Sequence, residues 1–254
     1  MSLLRLDEVT RSVQLPDDET LEILKGVTLE VEVGDHVSIV GRSGSGKSTL
    51  LNLLGLLDAP TSGSIWFDDR LTSTLSGNAR DRARGADIGF IFQQFNLLGG
   101  RTALENVMIG AQREGNPLQP GHAALRERAL SALGFVGMAD RANVIVKNLP
   151  YGHQRLVEIA RALAGHPKLL LLDEPAAGLN LTEKQELVAL LKRLRGHGLT
   201  IFLIEHDMGL IQQVSDRISV LNFGKKIAEG TPEEVLRHPE VIKAYLGEDA
   251  HGAA

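Results

Sequence analysis

Gly41-Arg42-Ser43-Gly44-Ser45-Gly46-Lys47-Ser48 decides how this chain is read. The octapeptide fits G-x-x-x-x-G-K-[ST], a loop that wraps a phosphate chain. An apolar run, Val37-Ser38-Ile39-Val40, leads into it, and a leucine-rich helical run from Ser48 to Leu57 leads out. That is the strand–loop–helix order such a loop requires. Its glycines let backbone N–H groups turn inward with no Cβ in the way. The helix N-terminus adds partial positive charge. On this reading Gly41, Ser43, Gly44, Ser45, Gly46, Ser48 and Thr49 hold the phosphates. Lys47 reaches the β- and γ-phosphates, and the Ser48 hydroxyl ligates Mg²⁺. The pattern implies a nucleoside triphosphate as ligand.

A second stretch carries the matching chemistry. Leu169-Leu170-Leu171-Leu172-Asp173-Glu174 reads as a buried strand ending in two acids. Carboxylates at such a position are costly without counter-charge, and a Mg²⁺–phosphate group supplies one. Asp173 is then a Mg²⁺ ligand, and Glu174 a general base for an attacking water. The alternative is a strand end whose acids cap the next helix, although Pro175 and Ala176-Ala177-Gly178 delay that helix.

The bulk numbers bound the rest. The 254 residues suit one large domain or one domain with a subdomain. A net charge of −5 argues against general nucleic-acid binding, which needs a basic face. The chain has no cysteine, so disulfides, thiolate metal sites and cysteine nucleophiles are excluded. No apolar run approaches the roughly 20 residues of a spanning helix. Acidic residues, Asp7 and Glu8, stand where a signal peptide has its apolar core.

Along the chain, residues 3–9 and 27–33 alternate as half-buried strands do, with a turn at Leu15–Glu19 between them. Ser64–Phe67 reads as an edge strand and Ile88–Phe92 as another strand. Thr102–Gly110 and Gly121–Gly134 carry helical periodicity, separated by Gly115-Asn116-Pro117 and Pro120-Gly121. Helices over Arg155–Ala164, Leu181–Arg195 and Asp207–Val214 alternate with strands Leu169–Leu172 and Thr200–Ile204. A hairpin follows, Arg217–Leu221 and Lys226–Glu229, turned at Asn222-Phe223-Gly224, and Thr231-Pro232-Glu233-Glu234 opens a last helix. Short apolar strands alternating with helices predict an α/β fold built on a parallel sheet. Residues 101–148 change character and read as an inserted helical subdomain.

The order of motifs resembles the ATP-binding subunit of ATP-binding-cassette (ABC) transporters over nearly the whole chain. Phe92-Gln93-Gln94 lies at that family's Q-loop. Leu149-Pro150-Tyr151-Gly152-His153-Gln154-Arg155 lies at its L-S-G-G-Q-Q-R signature, Ala177-Gly178-Leu179-Asn180 at its D-loop, and Ile204-Glu205-His206-Asp207 at its switch histidine. The resemblance implies a P-loop NTPase fold: a mostly parallel sheet, an antiparallel N-terminal β-subdomain and an inserted helical subdomain. With it, the expected division is an ATPase core over 1–100 and 156–248, a helical subdomain over 101–155, and a polar tail over 249–254. It implies Gln93 as a Mg²⁺ ligand and contact toward membrane subunits, and His206 as a γ-phosphate contact. It also implies Pro150, Tyr151, Gly152 and His153 as a signature acting in trans across a head-to-tail dimer. ATP and Mg²⁺ are the expected ligands. Transmembrane permease subunits and a second ATP-binding subunit are the expected partners, with no nucleic acid. The expected location is cytoplasmic, on the inner face of the membrane.

Three positions depart from the family pattern. Pro150 replaces the signature serine and offers neither hydroxyl nor N–H. The Tyr151 and Gly152 amides at a helix start remain an anion site, and the tyrosine is similar to the branched-chain amino-acid importer variant. Val13 stands where an aromatic residue stacks on adenine. Asn180 replaces the D-loop aspartate; Asn180-Leu181-Thr182-Glu183 equally reads as a helix N-cap with Glu at the third position.

The two halves resemble different branches. Residues 1–98 are similar to the lipoprotein-releasing and macrolide-export type, in Ile23–Val27, Ser43–Asn52 and Ile88–Leu98. Residues from about 134 are similar to the branched-chain amino-acid importer type, in Leu149–Leu163, Asp173–Asn180, Ile204–Met208 and Ala228–Gly247. Importer is the primary expectation, with export ATPase as the alternative. A nucleic-acid-associated ATPase or a non-hydrolysing envelope partner are rival classes. A GTPase reading lacks the N-K-x-D guanine motif.

Overall fold

A computed structural model describes residues 1–112 and 121–246, with Tyr245 and Leu246 described by backbone alone. The turn expected at Gly115-Asn116-Pro117 and the tail expected at 249–254 lie outside the described residues. The chain opens with β1 (Ser2–Gln14), β2 (Thr20–Glu32), β3 (His36–Val40), α1 (Lys47–Leu54), β4 (Ser62–Phe67), β5 (Arg70–Leu71) and α2 (Gly77–Asp87). It continues through β6 (Ile88–Ile91), α3 (Ala103–Ala111), α4 (His122–Phe135), α5 (Tyr151–Leu163), β7 (Leu169–Asp173) and α6 (Leu181–Gly196). It closes with β8 (Thr200–Ile204), α7 (Met208–Val214), β9 (Arg217–Asn222), β10 (Lys225–Gly230), α8 (Pro232–Leu236) and α9 (Pro239–Leu246). The fold is α/β. Two compact units divide it: Met1–Arg80 with Thr200–Ala254, and Asp81–Leu199.

In the first unit an antiparallel sheet runs in the order β2-β1-β4-β5. Leu4, Leu6 and Val9 of β1 and Leu24, Val27, Leu29 and Val31 of β2 are buried, the one-sided pattern of such a sheet. Beside it β3 pairs in parallel with β8 on one edge and β9 on the other, and β10 adds antiparallel to β9. Strands β3 and β8 are buried at every position, as expected of strands covered on both faces. Val40 at the end of β3 packs in a cluster with Ile211, Ile218, Val220, Val235 and Val241, which fixes where the following loop begins.

In the second unit β6 and β7 pair in parallel, with Ile91 opposite Leu172. Helix α5 packs against α3 and α4. The approach to α3 is close: a Cβ on Gly110 would lie 2.0 Å from the Arg161 carbonyl oxygen.

Several sequence expectations need correction. β4 is not an edge, because the two-residue β5 lies outside it. β1 continues past residue 9 to Gln14 and β2 begins at Thr20, before residue 27, since the added residues, Leu24 apart, are half-buried or exposed and show no alternation. The helix after the phosphate loop stops at Leu54 rather than Leu57, where Gly55 caps it and Leu56 turns left-handed at φ 56°. α5 starts at Tyr151, four residues before Arg155. Pro150 is its N-cap, with φ −54° and ψ 155°. α2 carried no signal: Gly77-Asn78-Ala79-Arg80-Asp81-Arg82-Ala83-Arg84 has no apolar stripe, and the helix buries no residue.

Candidate functional site

The phosphate loop leaves the end of β3 in the first unit. Gly44 and Gly46 adopt φ 76° and 100°, values that exact little cost only from glycine. A Cβ on Gly41 would lie 2.4 Å from the Leu221 carbonyl oxygen and 2.5 Å from Ser45 Oγ. The loop rests on the β9–β10 turn through a hydrogen bond from Gly224 N to Ser45 O, 3.1 Å. Lys47 Nζ donates to the carbonyls of Gly41 and Arg42 at 2.8 and 3.0 Å, lying back over the loop. Helix α1 has no side-chain cap and no acid in its first turn. Ser45 Oγ is buried with no hydrogen-bond partner. Uncapped amides, a lysine and an unmatched buried hydroxyl suit an anion of phosphate type. Thr49 follows on α1, and Ser48 is exposed.

His206 belongs to the same unit, and strand register explains its place. Ile39 of β3 stands opposite Ile204 of β8, so the phosphate loop and Glu205-His206 leave neighbouring parallel strands at the same C-terminal edge. That edge is where open α/β sheets bind ligands. The imidazole is 73% exposed. Its backbone is held firmly: Glu205, 2% exposed, accepts from the N–H groups of His206 at 3.0 Å and Asp207 at 3.4 Å. Asp207 in turn caps α7 by accepting from Leu210 N. Sequence reading passed over Glu205, whose signal was an acid directly after the apolar run Thr200–Ile204. Val13, on β1, is half-buried and stands opposite Leu21 of β2.

The second unit repeats the logic of register. Ile91 and Leu172 are paired, so Gln93 and Glu174, each two residues further on, emerge together. Gln93 Nε2 donates to Glu174 Oε2 at 3.0 Å. Glu174 sits at φ 46°, directly before Pro175. Left-handed backbone in a non-glycine residue costs on the order of 1–3 kcal/mol, and such strain gathers at working sites. Asp173 ends β7, half-buried.

Around the first turn of α5 the same unit gathers the expected signature and D-loop. The Tyr151 ring stacks at a tilt on Phe95, centroids 4.6 Å apart. It also closes over Gly178, where an added Cβ would meet it at 3.0 Å. Gly152 is buried, and a Cβ there would come 2.5 Å from the Glu183 carboxylate. Asn180 N-caps α6 in a full capping box: Glu183 N donates to Asn180 Oδ1 at 3.0 Å, and Asn180 N to Glu183 Oε2 at 2.9 Å. The cap reading of Asn180 is therefore realised. His153 Nδ1 is buried with no partner. The α5 first turn has no acid and no side-chain cap.

The ABC transporter family profile matches residues 24–177. The chain belongs to the ABC transporter family. A second family, the branched-chain amino acid ATP-binding cassette transporter, matches residues 225–251. Among ABC relatives, the chain is 38% identical over 242 residues to the high-affinity branched-chain amino acid transport ATP-binding protein LivG of Salmonella typhimurium, covering 89% of this chain and 92% of that protein. It is 39% identical over 241 residues to the macrolide export ATP-binding/permease protein MacB of Vibrio parahaemolyticus, covering 95% of this chain but 36% of that protein. Both branches suggested by the two halves of the sequence are thus represented among its relatives. The solved ABC cassette MJ0796, a dimer in a post-hydrolysis state bound to ADP and Pi, superposes with a TM-score of 0.82 at 35% identity, over 90% of this chain and 98% of that one. The chain is an ABC ATPase that binds ATP. Among its described residues no helix is long and apolar enough to cross a membrane.

Proposed function

We propose that this ATPase is the energising subunit of an importer of the branched-chain amino-acid type, working on the cytoplasmic face of the membrane with separate permease subunits. The observation that carries the importer reading is the family match over residues 225–251. The likeness to LivG along nearly its full length supports it.

In this reading the loop Gly41–Ser48, with Thr49, wraps the ATP phosphates through its amides and Lys47. Ser48, Asp173 and Gln93 would hold Mg²⁺; hydroxyl, carboxylate and amide oxygen are the hard donors that ion takes. When bound, Mg²⁺ neutralises charge on the β- and γ-phosphates. Glu174 takes the proton of the attacking water, its carboxylate held by Gln93. His206 donates a hydrogen bond to charge developing on the γ-phosphate. The Tyr151 and Gly152 amides, with Pro150 before them and His153 after, act on the nucleotide of a second ATP-binding subunit. Asn180 shapes the D-loop from its cap position. ATP joins the two subunits, and hydrolysis releases them.

Val13 gives adenine an apolar contact but no ring face. Val13→Tyr is expected to tighten ATP binding about two- to tenfold, the worth of one aromatic pair. Titration of ATP into both proteins measures it, and an unchanged Kd removes Val13 from the base site.

The likeness to MacB favours a second reading, export. Co-expression with tagged permeases of each type separates the two. Co-purification with branched-chain-type permease subunits is the expected result. Recovery with exporter-type permeases alone sinks the importer reading.

A further inference from the structure

Helix α5 carries three charged residues on one face, Arg155, Glu158 and Arg161, at i, i+3 and i+6. All three grip the segment that follows β6. The Arg155 guanidinium donates to the Phe92 carbonyl at 2.6 Å and the Gln93 carbonyl at 2.9 Å. Its plane lies over the Phe95 ring, 4.6 Å from the centroid. Arg161 donates to the Asn96 carbonyl, and Glu158 accepts from the Asn96 backbone. Glu158 also pairs with Arg155 at 2.5 Å, and the two side chains are 0% and 1% exposed. Burial pushes the Glu158 carboxyl up, opposed by Arg155 and Arg161.

A buried ion pair is weak evidence of stabilisation, since apolar residues of like volume often serve as well. What Arg155 does here that an apolar residue cannot is fix two consecutive carbonyls with one rigid fork. The second of them belongs to Gln93, whose side chain holds Glu174. We propose that Arg155 is a positioning residue for hydrolysis: it sets the backbone of Gln93 and so the orientation of the Glu174 carboxylate. The inference rests on the catalytic reading of Gln93 and Glu174. It also ties α5, whose first turn is assigned to a second subunit's nucleotide, to the hydrolytic carboxylate of its own chain.

The test is a double-mutant cycle on ATP hydrolysis by the full-length chain. Arg155→Lys keeps the charge but loses the fork, and Gln93→Ala removes the side chain it positions. Each is expected to lower kcat about tenfold, the usual size for removing a group that orients a working residue. For Arg155→Lys, KM for ATP should move less than about twofold, and the double variant should be no slower than the slower single. A purely structural arginine would give independent losses, roughly a hundredfold together, and that result overturns the proposal. If Gln93→Ala slows turnover and Arg155→Lys does not, the positioning role alone fails. If Gln93→Ala has no effect, the reading of Gln93 fails and this inference with it. Arg155→Met combined with Glu158→Leu guards against misfolding by replacing the buried pair with apolar bulk. That variant should stay folded and hydrolyse slowly; wild-type turnover from it overturns the proposal.

Discussion

Glu174→Gln is expected to lower kcat for ATP hydrolysis by about 10²–10⁴, the span of a general-base contribution, while ATP remains bound. The substitution keeps shape and an acceptor oxygen for Gln93 Nε2, which now donates at 3.0 Å. What it removes is the capacity to take a proton. The strained φ of 46° at this residue belongs to the backbone and is unchanged by it, so the loss should fall on the chemical step. Single-turnover hydrolysis measured beside equilibrium ATP binding separates the two. Turnover at the wild-type rate would remove Glu174 from the mechanism.

Lys47→Ala is expected to act on the other quantity. Lys47 begins α1, and its ammonium, on Gly41 O and Arg42 O, lies over the loop that would cradle the phosphates. A hydrogen bond to a charged partner contributes about 1.5–3 kcal/mol, so losing one such contact should weaken ATP binding about 10- to 150-fold. The loop itself should persist, because the seating of Ser45 on Gly224 and the tight approach of Gly41 to Leu221 do not involve the lysine. Titration of ATP into a variant with an unchanged circular dichroism spectrum measures the effect. A Kd within threefold of wild type would contradict the assignment.

These two residues show where the sequence was most legible. The phosphate loop and the tetraleucine strand each combine a local pattern with a chemistry that has few other uses. The two short apolar strands before Gln93 and Glu174 were legible, but their pairing, with Ile91 opposite Leu172, is a long-range contact that no local pattern announces. What escaped reading depends on partners distant in sequence. Arg155 and Glu158 look like an ordinary solvent-facing i, i+3 pair until α5 is known to turn that face onto residues 92–96. Glu205 reads as part of a motif rather than as the buried carboxylate that fixes the His206 backbone. α2 left no trace because periodicity detects buried faces and that helix buries none. Asn180 shows the opposite case, where Glu183 three residues on foretold a capping box that the structure contains.

The proposed mechanism turns on ATP joining two ATP-binding subunits, with Glu174 as the hydrolytic base, and two copies of this chain are the simplest such pair. Light-scattering mass of the Glu174→Gln protein on size exclusion, with and without Mg-ATP, tests it most directly. The expected result is a shift from one 27.5 kDa chain to two on adding ATP, with Pro150 in the signature and Asn180 in the D-loop no obstacle. A mass that stays at one chain while the same sample demonstrably holds ATP would contradict it.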